Sequence, residues 1–127
     1  MNIFDFISGN PFLTKLFPEG LTGDVLLGQL SFSVKGRMDL NIHTQQKPAM
    51  ETAKWGTWGK EYNVIVLRLS GYGGKYLHIE NWWHADFAPV NYIQENGISL
   101  LTQSGDNWSI KMDVDDMILQ SCSTYLI

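Results

Sequence analysis

The sequence predicts a mainly β, α+β domain: an antiparallel β-sandwich or strongly curved sheet of about eight strands, with a short N-terminal helix. Three observations carry that expectation. The apolar period changes from helical to alternating after Gly23, and turn-forming clusters then recur at the spacing of short antiparallel strands. The chain has 127 residues and is 44% hydrophobic, which suits a single domain over 1–127 that buries a core without disulfide or metal.

The helix comes first. Asn10-Pro11 joins a favoured N-cap to proline at the first helical position, where the missing N–H is not needed. Phe12, Leu13, Leu16 and Phe17 form one apolar stripe, and Pro18 with Gly20 stops it, so the helix is expected over 11–17. Leu26, Leu30, Phe32 and Val34 then oppose Gln29, Ser31 and Ser33, and Met38, Leu40 and Ile42 alternate with Asp39, Asn41 and His43 beyond a turn at Gly36. That pair reads as a hairpin. Residues 44–60 form a long polar connection interrupted by Trp55 and Trp58.

Tyr62 to Leu69 is apolar on both faces, as a covered central strand would be. Gly71-Tyr72-Gly73-Gly74 reads as a turn, after which Leu77 and Ile79 open another strand. Val90–Gln94 and Ile98–Thr102 flank Asn96-Gly97, a strong hairpin signal. A turn at Ser104–Asn107 precedes the alternating Trp108, Ile110 and Met112, and Met117–Cys122 reads as a separate closing strand before a Tyr125–Ile127 tail.

Composition excludes several classes of function. No apolar run approaches the ~20 residues of a membrane-spanning helix. The start, Met1-Asn2-Ile3-Phe4-Asp5, lacks the basic region of a signal peptide, and Cys122 is the only cysteine, so the cytoplasm is the expected location. A net charge of -4 argues against a nucleic-acid binder. That charge is unevenly spread. Residues 1–75 carry eight Lys/Arg against six Asp/Glu, whereas residues 76–127 carry seven acids and only Lys111. An acidic half steers a basic partner, and the interleaved Trp82, Trp83, Tyr92 and Trp108 are residue types that anchor interfaces.

Catalytic readings find less support. A single strand through His78–Asp86 would set His78, Glu80, Trp82, His84 and Asp86 on one face, where two imidazoles and two carboxylates could hold zinc or divide acid and base roles. Strand residues six apart lie ~20 Å apart, beyond metal reach, so the polar face of an amphipathic strand is the better reading and no metal or cofactor is expected. The Gly71–Gly74 cluster lacks the Lys-Ser/Thr and helix start of a phosphate loop. Cys122 has no neighbouring base in the sequence to lower its pKa, and no Gly-x-Ser-x-Gly elbow occurs. No enzymatic activity is expected. Trp55 and Trp58, beside Lys54 and Lys60, could instead form a sugar- or base-stacking platform, clamp their loop onto the sheet, or make an edge that contacts a partner.

Lys54-Trp55, Asn63-Val64-Ile65-Val66-Leu67-Arg68-Leu69 and Leu77-His78-Ile79-Glu80-Asn81-Trp82 resemble the immunity protein 50 family of bacterial polymorphic toxin systems. The likeness extends loosely over residues 48–127, including Ser109-Ile110-Lys111-Met112 and Tyr125-Leu126. It implies a small cytoplasmic protein without chemistry of its own that neutralises a cognate secreted or contact-delivered toxin. Many such toxins are basic nucleases, which an acidic surface would complement by occluding the active site. On this reading Glu80, Trp82, Asp86, Asp113, Asp115 and Asp116 are the expected toxin-binding residues. The alternative is a small-ligand or carbohydrate-binding β-domain built on Trp55 and Trp58.

Overall fold

The computed structural model describes residues 2–127. The N-cap signal at Asn10 acts as expected: its Oδ1 accepts from the Leu13 amide at 3.1 Å and opens helix α1, Pro11–Leu16. Six strands follow: β1 (Val25–Phe32), β2 (Arg37–Thr44), β3 (Val64–Glu80), β4 (Val90–Glu95), β5 (Ile98–Gly105) and β6 (Trp108–Tyr125). They make one antiparallel open sheet in the order β1-β2-β3-β6-β5-β4. The mainly β class and the short helix hold; a sandwich does not, because there is a single sheet.

The expected eight strands become six by two mergers. Gly71–Gly74 is no turn but the middle of the 17-residue β3. A Cβ at Gly71 would collide with Met117 Sδ and the Asp115 carbonyl, and one at Gly73 with Met38 Sδ and the Asp113 carbonyl. These glycines therefore permit close crossing of β6 and its side chains rather than reversal of the chain. Only Gly74 lies in the left-handed region, at φ 90°, where the β3–β6 register slips between Gly73 and Leu77. The same slips let β6 run unbroken for 18 residues, through the stretch that reads as an interstrand connection.

Alternation is obeyed where the backbone stays regular. Met38, Leu40 and Ile42 are buried in β2, as are Trp108, Ile110 and Met112 in β6. In β1 a bulge between Leu27 and Gln29 moves the pattern by one residue. Leu27 and Leu30 thus share the core face, while Leu26, paired with His43, falls on the other face, contrary to the expected Leu26–Leu30 side. β3 is covered on both faces near its start: Ile65 and Leu67 enter the core, and Val64 and Val66 are buried on the reverse side, next to Tyr125 and His43 in the register.

The N-terminal segment and the loop after β2 join the sheet in a single core that includes Ile3, Phe6, Leu13, Leu16, Phe17 and Trp55. Gln46 fastens the loop, its Nε2 donating to the Gly20 carbonyl and its Oε1 accepting from the Thr22 amide. At one corner the sheet's two edges meet. Val25 of β1 and Ala88, just before β4, exchange backbone hydrogen bonds of 3.0 Å, and the buried Gln103 amide donates to both of their carbonyls at 2.7 and 2.8 Å. The Asn96-Gly97 hairpin turn forms with both residues at positive φ, 54° and 77°.

Candidate functional site

The six expected toxin-binding residues separate into two groups along β3 and β6. Glu80 pairs in register with Ser109, and Asp115 with Tyr72, so the two ends lie about 20 Å apart along β6.

At the first end, β3 stops at Glu80, and Asn81 turns the chain with φ 51°. Trp82–His84 form a short 3-10 turn, so a single strand face does not carry His78 through Asp86. Only His78 and Glu80 remain neighbours, forming an ion pair of 3.2 Å when the imidazole is charged. Asp86 is exposed, and its Oδ1 accepts from the Phe87 amide. Trp82 is half-buried against the core, whereas Trp83 is 93% exposed. Sequence reasoning named both as anchor types but put only Trp82 among the toxin-binding residues. Burial of one of two adjacent tryptophans depends on the turn geometry, which the residue types do not reveal. Among the described residues no group of three His, Cys, Asp or Glu is placed to hold a metal ion.

The second end gathers Asp113, Asp115 and Asp116 at the bend of β6. Asp113 is buried, and its Oδ1 accepts from the amides of Gly74 at 3.1 Å and Tyr76 at 2.8 Å. It thereby satisfies the backbone donors that the β3 slip takes out of the ladder. Asp115 and Asp116 are exposed, and Asp116 has left-handed backbone geometry at φ 49°, which aspartate tolerates better than most side chains. Both line a cleft of about 280 Å³ together with Asp5, whose Oδ2 accepts from the Asn2 amide. Asp5 escaped the sequence reading because nothing in the sequence brings the N-terminal turn to β6. The Ile7–Met117 bridge does so. Among the described residues Asp5, Asp115 and Asp116 have no ion-pair partner.

Two of the expected anchor aromatics belong to the core instead. Tyr92 packs its ring 5.1 Å from that of Phe6, and both Tyr92 and Trp108 are buried. Each occupies a core-facing position of its strand, and strand parity outweighs the preference of aromatics for interfaces. Trp55 is buried as well, set edge-on against Phe12 and Tyr62, and Trp58 is edge-on to Tyr62. This aromatic nest clamps the loop. Burial pushes the Cys122 thiol up to about 11, with the nearby Lys54 charge pulling the other way, so the sulfur stays protonated near neutral pH.

No family model, curated protein or solved structure matches the chain. What the surface can do therefore rests on its own geometry. It offers three carboxylates without ion-pair partners among the described residues beside a cleft at one end of the sheet, and an exposed tryptophan at the other.

Proposed function

We propose that this chain is an immunity protein, which binds a cognate bacterial toxin domain and neutralises it by covering the active site. The observation that carries the reading is the gathering of Asp115 and Asp116 on the bend of β6 with Asp5 of the N-terminal turn, carboxylates without ion-pair partners among the described residues. Uncompensated charge lowers the stability of a lone protein slightly but accelerates encounter with a basic one. The resemblance of residues 48–127 to the immunity protein 50 family points the same way. On this account the chain performs no chemistry, and the toxin is a basic enzyme such as a nuclease.

The test uses the tagged chain as bait in a lysate of its source bacterium, with mass spectrometry of what is retained through a high-salt wash. The expected result is one basic toxin C-terminal domain whose isolated activity disappears at equimolar chain. A retained partner whose activity is unaffected overturns the reading. So does a sugar that binds tightly and quenches the tryptophan fluorescence, since that outcome belongs to the ligand-binding alternative on Trp55 and Trp58. Within the complex, Asp115→Asn with Asp116→Asn is expected to slow association by about 10-fold and to flatten its salt dependence. Stopped-flow kinetics at two ionic strengths checks it.

A further inference from the structure

We propose that the far end of β3, Lys75 to Glu80, is a dimerisation edge that pairs antiparallel with the same stretch of a second copy of this chain. The inference is independent of what the chain neutralises.

β3 loses one neighbour before it ends. β2 accompanies it only as far as the Arg37↔Tyr72 pair, whereas β6 follows it from Leu77↔Met112 to Glu80↔Ser109. The stretch therefore has one bonded side and one open side. The Tyr76 amide donates to Asp113 of β6 at 2.8 Å, and backbone groups alternate in direction along a strand. Those of His78 and Glu80 thus also face β6, and those of Leu77 and Ile79 face outward. Among the described residues these outward groups have no backbone partner. All six side chains are exposed, Leu77 by 45% and Ile79 by 36%. An edge with exposed apolar side chains and no proline is a template for another strand.

The stretch is complementary to itself. Two left-handed residues bracket it, Gly74 at φ 90° and Asn81 at φ 51°. A symmetric antiparallel pair centres on one residue, and only Leu77 or His78 as centre leaves five extended residues of each copy opposed. The side chains choose His78. Centred there, Leu77 of each copy faces Ile79 of the other, so their outward backbone groups bond and their apolar side chains meet on one side of the sheet. On the other side Glu80 stands opposite Tyr76, and Lys111 Nζ lies over that ring, 5.5 Å from its centroid. The carboxylate of each copy thereby meets the ammonium of the other. Centred on Leu77, Lys75 would instead face Ile79, and Glu80 would face Gly74.

The ends of the pairing match as well. The second copy enters the lane that β2 occupies further along β3, and that lane begins at the Val34–Gly36 turn. Beyond Asn81 the second copy carries Trp83 toward this turn, whose Val34 is 86% exposed. Trp83 and Val34 are the most exposed large hydrophobics among the described residues, and the pairing brings one from each copy to the same junction. Five opposed residues per copy make a small interface, so the dimer is weak and reversible. It covers Glu80 and leaves Asp115, ~20 Å along β6, open to another partner.

The experiment follows the full chain by sedimentation velocity from about 10 μM to about 1 mM, the range in which a weak dimer forms. Conversion of monomer to dimer is expected. Over the same range amide exchange at Leu77 and Ile79 is expected to slow, while that at Tyr76 and His78, already bonded to β6, stays constant. His78→Lys opposes two ammonium groups across the axis at an exposed site, and it is expected to weaken the dimer about 10-fold without changing the melting temperature of the dilute chain. His78→Cys, combined with Cys122→Ser, is expected to cross-link the copies on mild oxidation. Opposed residues that do not exchange hydrogen bonds stand ~4.5 Å apart at Cα, within disulfide reach. A chain still monomeric at the highest concentration overturns the edge. So does a dimer that leaves the Leu77 and Ile79 amides unprotected, one that His78→Lys leaves as tight, or cross-linking by Tyr76→Cys in place of His78→Cys.

Discussion

Asp113 accepts hydrogen bonds from two amides that the slipped register of β3 removes from its ladder, so its carboxylate is built into the fold. Asp113→Ala is expected to cost about 1 kcal/mol, since it removes the acceptor of two part-buried amides that water can only partly replace, whereas Asp113→Asn keeps an acceptor and costs less. Urea denaturation of both variants checks this, and an alanine variant of wild-type stability would show that the carboxylate is dispensable. His43 supplies a second residue-scale prediction. Its Nδ1 is 2.7 Å from the Tyr125 hydroxyl, and burial lowers its pKa below the usual 6.5. The unfolded chain therefore binds the proton more readily than the folded one, so stability rises with pH in this range. The His43 contribution is fully present above pH 6.5 and is lost as pH falls through the folded value. Denaturation midpoints at successive pH values should show a step that His43→Gln abolishes. Neither role was visible in the sequence. Asp113 reads there as one of the toxin-binding acids and His43 as the polar member of an alternating strand, because their partners lie on other elements.

At the scale of elements, the two long strands depend on glycine. Gly73→Ala places a Cβ against the Asp113 carbonyl and Met38 Sδ, and the backbone atom cannot swing aside as a side chain does. A loss of about 2–3 kcal/mol is expected from such overpacking. Gly23→Ala, with open space around it, serves as the control and should change little in the same denaturation experiment. Helix α1, the β1–β2 hairpin and the Asn96-Gly97 turn were legible beforehand because each is specified by neighbours within a few residues: an N-cap, the alternation that holds through β2 though a bulge breaks it in β1, a pair of turn residues. The Gly71–Gly74 run was misread because a glycine cluster that reverses the chain and one that lets a second strand pass close by have the same local composition. Only the approach of β6 distinguishes them.

For the whole molecule, Gln103 joins the two edges of the sheet through the carbonyls of Val25 and Ala88. Gln103→Met, similar in length but without the amide, is expected to loosen that corner. Hydrogen exchange at Val25 and Ala88 should accelerate more than at Leu40 in the sheet's interior, and uniform protection would refute the role. The sequence by itself determined the mainly β class, the single helix, most core positions and the acidic bias of the C-terminal half. Periodicity, capping and charge are local properties, and any fold of this chain must satisfy them. Tertiary structure alone decided that eight expected strands are six and that Asp5 stands beside Asp115 and Asp116. It also sent Tyr92 inward while leaving Trp83 outside. Those outcomes depend on strand register and on which backbones approach one another, and contacts between residues a hundred positions apart leave no mark in the pattern on either side.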